Sequence, residues 1–140
     1  MSGAGLHSGA AGRVALAPAP ADTGLVFRRA GAADVPALAG SLAGTERCTA
    51  LGVPGGPGVR TVEHLLAACV FAGLDNAYIR VEGEEIPAAD GSALPFLELI
   101  EAAGLAEQDA PARLLALAAP VAVEGPNGRV RAEPAEAPAY

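Results

Sequence analysis

The sequence predicts a fold of the α+β class on three observations: short β-type runs near the start, two helical stretches with apolar inner faces, and a strong hairpin signal near the end. At 140 residues the chain can hold one packed domain, or one domain and the beginning of a second, but not two complete ones. Hydrophobic residues make up 51% and aromatics only 4%, so core volume must come mainly from Leu, Val and Ala in close contact.

Arg13 to Leu16 and Gly24 to Arg28 are β-type runs separated by Pro18 to Thr23, whose Pro and Asp favour a turn, and the pair predicts a hairpin. Ala30 to Gly44 is rich in Ala and Gly and predicts no definite element. Val53 to Gly58 packs two Pro and three Gly into a loop. A helix follows over about Val62 to Ala72, with Thr61 as a cap, Glu63 at the positive end of the dipole and Gly73 as its stop. Its apolar stripe is Val62, Leu65, Leu66, Cys69 and Val70. At about 100° per residue, His64 shares the opposite face with Ala67, Ala68 and Phe71, a small and apolar face suited to being covered.

Asn76 to Glu82 alternates as a half-buried strand, with Ala77, Ile79 and Val81 inward. Glu84 to Gly91 is a Pro-containing loop. Pro95 can occupy the first turn of a helix running to about Ala103, with Phe96, Leu99, Ile100 and Ala103 inward and Gly104 as its stop. Glu107 to Pro111 is hydrophilic and predicts a linker. Leu114 to Glu124 and Arg129 to Glu133 then flank Pro126-Asn127-Gly128, a hairpin turn signal. A lone two-stranded hairpin is not stable, so this segment is expected to begin an unfinished domain, with Pro134 to Tyr140 trailing it.

The net charge is −7, and the nine basic residues are all Arg and scattered, which disfavours nucleic acid as a partner. The absence of Lys removes Schiff-base chemistry, a lysine base and a phosphate-loop Lys together. Cys48 and Cys69 are too few for a disulfide framework, and no signal-peptide pattern opens the chain, so a reducing, cytoplasmic setting is expected. Leu114 to Val123 is about half the length of a membrane span and contains Pro120. No transmembrane segment is expected.

Adjacent Glu63 and His64 admit two readings. They are a dipole-compensating carboxylate and a surface histidine, or a base and a ligand for metal-assisted hydrolysis, in which a zinc ion held by three protein ligands activates a water. Position 68, one turn on, is Ala68, so the two-His zinc-protease motif is absent. The remaining candidates are His7, in a Gly-flanked turn, and the thiols. Cys69 belongs to the apolar stripe and reads as core. Cys48 follows Arg47 in an unassigned segment, and Asp90 has an ordinary explanation as a turn residue.

Four stretches, in order, carry a more specific signal: Gly5-Leu6-His7-Ser8-Gly9, Thr61-Val62-Glu63-His64-Leu65, Gly73-Leu74-Asp75-Asn76, and Glu85-Ile86-Pro87 with Asp90-Gly91-Ser92-Ala93. Together they closely resemble the zinc-dependent UDP-3-O-acyl-N-acetylglucosamine deacetylases of lipid A biosynthesis. The resemblance implies hydrolysis of the acetamide of UDP-3-O-acyl-N-acetylglucosamine, with Glu63 as general base and His64 as a ligand to one zinc ion. It places His7 near the active site, and Arg47, Cys48 and Thr49 along the substrate groove.

The fold it implies is two similar α+β lobes, each a sheet with helices packed on it, with the active site between them. Residues 1–108 would be the first lobe without its first strand, and residues 109–140 a linker and the truncated start of the second. On that likeness the chain ends before the His-Lys-x-x-Asp motif that supplies two further zinc ligands, before a later oxyanion-stabilising His and before the acyl-chain passage. Its zinc site would be incomplete, and a second catalytic lobe, in cis or in trans, would be its partner. Ala88 and Ala89 stand where the family usually has larger apolar residues. The alternative is a non-catalytic lobe that retains the deacetylase fold as a binding or interaction module.

Overall fold

The computed structural model describes residues 1–56, 58–113 and 116–135. They fall into two compact units, Met1–Ala110 and Pro111–Tyr140. The first unit contains β1 (Ser2–Ala4), β2 (Ala11–Pro18), β3 (Leu25–Arg29), β4 (Val35–Pro36), a 3-10 turn (Ala39–Ser41), β5 (Leu42–Gly44), β6 (Ala50–Leu51), α1 (Glu63–Ala72), β7 (Ala77–Glu82) and α2 (Leu94–Ala103). The second contains β8 (Val121–Gly125) and β9 (Gly128–Ala132). The class is α+β, as the sequence predicts, and no helix among the described residues is long and apolar enough to cross a membrane.

The main sheet has the order β1-β2-β7-β3-β4. The hairpin expected of β2 and β3 does not form, because β7 lies between them, antiparallel to β2 and parallel to β3. The reason is compositional. The inward residues of β7, Ala77, Ile79 and Val81, are buried and apolar enough for a central strand with neighbours on both sides. The turn residues between β2 and β3 allow a reversal without dictating which strands pair. Asn76 pins the arrangement: its Oδ1 accepts the Gly24 N–H at 2.8 Å, and its Nδ2 donates to Gln108 Oε1 at 2.8 Å. Gln108 in turn donates from Nε2 to the Ala19 carbonyl at 2.9 Å, tying the segment after α2 to the end of β2.

Inward side chains of this sheet, Val14, Phe27, Ile79 and Val81, join Leu65, Ala68 and Cys69 of α1 and Phe96 and Ile100 of α2 in one core. The unit is therefore two layers, a sheet and a pair of helices. The outer face of the sheet is polar. Arg28 stacks on the Tyr78 ring, 3.4 Å from its centroid, and pairs with Asp34 at 2.8 Å.

Helix α1 begins one residue later than expected, with Val62 as its N-cap and no side-chain cap. Thr61, expected to cap, instead has φ 58° and turns its hydroxyl elsewhere. Gly73 ends the helix in the left-handed conformation, φ 69°, its N–H donating to the carbonyls of Cys69 and Val70. Two assignments of faces fail. Val70, placed in the apolar stripe, is exposed, and Ala68, placed on the His64 face, is fully buried. The helix is apolar almost all round, so periodicity alone separates its faces poorly.

Ala30 to Gly44, unassigned from sequence, supplies β4, the 3-10 turn and β5. Strands β5 and β6 form a small antiparallel ribbon, which Leu51 extends by bridging to Val59. In the second unit, β8 and β9 form the expected hairpin around Pro126 and Asn127. The first strand of the hairpin starts at Val121, just past Pro120. Leu114, Leu115 and residues 136–140 lie outside the described residues.

Ile79 is fully buried in the central strand while neighbouring Arg80 is exposed. Ile79→Ala should cost about 2–5 kcal/mol and Arg80→Ala within about 0.5 kcal/mol, measured by urea unfolding followed by circular dichroism. Equal losses would contradict the inward assignment of Ile79.

Candidate functional site

Helix α1 starts where β7 leaves the sheet. Arg60 N–H donates to the Glu84 carbonyl at 2.9 Å, and Ile86 N–H to the Arg60 carbonyl at 3.1 Å, so the approach to α1 runs beside the exit from β7. Glu63 and His64 occupy the first turn, both half-buried. The ribbon of β5 and β6 delivers the Arg47-Cys48-Thr49 loop to the same place. Thr49 N–H donates to Glu63 Oε2 at 3.0 Å, and Val62 N–H to the Thr49 carbonyl at 3.3 Å. A carboxylate oxygen has lone pairs to spare, so this bond orients Glu63 and leaves Oε1 available to take a proton.

His64 lines a cleft of about 170 Å³ with Leu6, Thr61, Pro87, Ala88, Gly91 and Phe96. Leu6 reaches the cleft from the turn Gly5-Leu6-His7-Ser8-Gly9, which is closed by Gly9 N–H to the Gly5 carbonyl at 3.0 Å, with Gly9 at φ 64°. The His7 imidazole is exposed.

Of the expected site residues, the structure thus brings Thr49 onto Glu63, and brings the turn that carries His7 to the cleft that His64 lines. Cys48 is half-buried beside Thr49, and Arg47, at φ 58°, is exposed. Cys69 is enclosed in the core, where burial pushes its thiol up to about 11. Asp90 is a turn residue: Oδ1 accepts the N–H and hydroxyl of Ser92 at 2.9 and 2.8 Å, which hold its carboxyl below the ordinary range. Ser92 Oγ accepts the first N–H of α2, from Leu94, at 3.1 Å.

Glu85, which the sequence marks only as part of the Glu85-Ile86-Pro87 stretch and to which it assigns no role, is only 3% exposed. Its carboxylate accepts His7 N–H at 3.0 Å, Ser8 N–H at 2.8 Å and the Thr61 hydroxyl at 2.8 Å. Burial alone would push its pKa up. The Ser8 hydroxyl, the His7 and Ser8 N–H groups and the Thr61 hydroxyl outweigh burial and bring it down to about 2. Gly5 is required by this approach, since a Cβ there would lie 2.5 Å from Ser8 Oγ and 2.7 Å from Glu85 Cδ. The available sequence signal is slight: a Glu directly ahead of apolar Ile86-Pro87, and a distant Gly-flanked turn whose N–H groups need acceptors.

A catalytic zinc needs three protein ligands drawn from His, Cys, Asp and Glu. Among the described residues no three such side chains converge. What the site offers toward such a group is one half-buried imidazole, His64, beside one oriented carboxylate, Glu63.

The family model described as UDP-3-O-acyl N-acetylglycosamine deacetylase matches residues 1–139. Three curated relatives carry the name UDP-3-O-acyl-N-acetylglucosamine deacetylase. That of Phenylobacterium zucineum is 43% identical over 98% of this chain and 48% of its own length. That of Pseudomonas entomophila is 47% identical over 91% and 43%, and that of Idiomarina loihiensis 45% identical over 88% and 41%. The chain spans about half the length of the curated relatives it matches.

The state of Glu85 fixes a pH dependence. Its folded pKa, about 2, lies below the ordinary 4.5, so the stability it contributes is complete above pH 4.5 and is lost as pH falls toward 2. Glu85→Gln should therefore melt lower than the parent at neutral pH, by about 3 kcal/mol of stability. The gap should narrow as pH drops through that window in thermal melts. A gap as wide at pH 2 as at pH 7 would show that the carboxylate is not held as its anion.

Proposed function

We propose that this chain, which belongs to the UDP-3-O-acyl N-acetylglycosamine deacetylase family, forms one lobe of a cytoplasmic, zinc-dependent deacetylase of lipid A biosynthesis. Its substrate would be UDP-3-O-acyl-N-acetylglucosamine. Residues 1–108 form the first lobe and residues 109–140 the linker and first hairpin of the second, the remainder of which acts in cis or in trans. The observation that carries the reading is the half-buried Glu63 and His64 pair at the head of α1, with Glu63 oriented by Thr49 N–H, in a chain this similar to named deacetylases.

In this reading Glu63 is the general base. It takes a proton from the water that attacks the acetamide carbonyl and passes a proton to the departing amine, so that water and amide become acetate and free amine. His64 would be one ligand to a zinc ion, whose chemistry there would be to acidify water and polarise the carbonyl. The other ligands come from the second lobe. The turn carrying His7 lies near the active site, and the Arg47, Cys48 and Thr49 loop borders the substrate groove. Val70 and Phe71 on α1 and Leu94 on α2 are large apolar side chains left exposed.

The lack of a converged ligand set among the described residues favours a second reading, a non-catalytic module that keeps the fold. One experiment separates the two. Mixed with a complementary second lobe, the chain should bind zinc stoichiometrically and release acetate from the substrate. Glu63→Gln should lower kcat by about 10²–10⁴-fold with zinc retained, and His64→Ala should lose the zinc. Neither acetate nor zinc in the mixture would leave the module reading standing.

A further inference from the structure

Two carboxylates lie beside the cleft, and they are placed for different work. Glu63 is half-buried in the first turn of α1, whereas Glu85 is enclosed, with both oxygens spent on donors from the chain itself. Glu85 has no face left for a substrate. What it does have is reach. His7 lies 78 residues away in sequence, Ser8 77 and Thr61 24, and one side chain holds all three.

We propose that Glu85 is the positioning residue of the site, a clamp that fixes the turn carrying Leu6 and His7 against Thr61, and so sets the cleft wall relative to Glu63 and His64. The proposal rests on the reading of Glu63 and His64 as a hydrolytic pair. Thr61 is the critical link. It stands two residues before Glu63, and its φ of 58° is a conformation that a β-branched residue adopts only under restraint. Backbone bonds on either side, from Arg60 N–H to the Glu84 carbonyl and from Ile86 N–H to the Arg60 carbonyl, hold the flanks. The hydroxyl bond to Glu85 Oε1 holds the residue itself.

Released from Glu85, Thr61 is free to leave the left-handed region, and the first turn of α1 swings with it. On the other side the His7 and Ser8 N–H groups lose their acceptor, and the turn is no longer registered against the helix. Chemistry of this kind is sensitive to such slippage, since a 1 Å misplacement of a reacting group costs about 10²-fold in rate.

The test uses Glu85→Gln and Glu85→Asp together with Thr61→Val and Thr61→Ser, and two readouts. In the 140-residue chain alone, amide NMR and hydrogen exchange report the clamp without any need for activity. Glu85→Gln should shift and deprotect His7 and Ser8 and, in the same spectrum, displace Glu63 and His64. Thr61→Val should displace both sets as well, while Thr61→Ser, which keeps the hydroxyl, should leave them close to the parent and Glu85→Asp should recover part of the pattern. Combined with the second lobe, Glu85→Gln and Thr61→Val should lower kcat per folded molecule by about 10–100-fold, with KM little changed and zinc retained.

Glu63 and His64 resonances unmoved in folded variants would overturn the proposal. So would activity that falls only in step with the unfolded fraction. Should Glu85→Gln fail to fold, Thr61→Val decides, because it removes one donor and leaves the carboxylate in place. A parent chain that is inactive with the second lobe would sink the hydrolytic reading instead, and coupling in the NMR spectra would still decide whether the clamp exists.

Discussion

A buried, ionised carboxylate organises the front of this molecule. Taking such a group out of water costs several kcal/mol, and Glu85 meets that cost with charge-assisted hydrogen bonds, each worth about 1.5–3 kcal/mol. The requirement for donors explains neighbouring sequence features that otherwise look unrelated. Gly5 lacks a side chain because the carboxylate passes through the space one would fill. Gly9, at φ 64°, closes the turn so that successive N–H groups at His7 and Ser8 point at one acceptor. Thr61 tolerates a left-handed backbone because its hydroxyl is satisfied there. The stretches around His7, Glu63 and Glu85, separate in the sequence, are parts of one contact.

The sheet makes that contact possible. With β7 between β2 and β3, its exit is flanked by strands on both sides, and the segment after it is held beside the approach to α1. The isolated bridges from Gly5 to Pro87 and from Arg60 to Glu85 continue the pairing beyond the regular strands. They bring the first turn, the head of α1 and the Glu85 segment together. The ribbon of β5 and β6 adds the fourth piece, the Thr49 loop, through a single N–H on Glu63.

What the sequence made legible follows from how local each feature is. The bounds of α1 and α2, the alternation of β7 and the turn at Pro126-Asn127 depend on residues a few positions apart, and the structure bears them out within a residue or two. The false hairpin of β2 and β3 is a pairing error, since partner choice rests on long-range packing that adjacent turn residues do not encode. The faces of Val70 and Ala68 are not readable from periodicity because α1 is apolar on most of its surface. Glu85 escaped for a sharper reason. A charged residue in a Pro-containing loop reads as solvated, and only the three-dimensional meeting with His7, Ser8 and Thr61 shows that its charge is internal. The pairing of Glu63 with Thr49 N–H is likewise out of reach of the sequence, although the family resemblance points to both residues.

Glu63 and Glu85 show how two carboxylates near one cleft come to differ. Glu85 is surrounded by donors and stabilised as a permanent anion, which removes it from proton transfer at any ordinary pH. Glu63 receives one backbone donor, enough to fix its direction without consuming its second oxygen. A base has to be oriented yet incomplete, and a clamp has to be saturated. The division of labour proposed for the two residues therefore rests on the count of hydrogen bonds each one accepts. The cleft beside them is lined by the His64 imidazole, with Glu63 next to it in the first turn of α1, and no three potential ligands converge among the described residues. The proposal that a second lobe completes the site starts from that arrangement and from a chain that spans about half the length of its relatives.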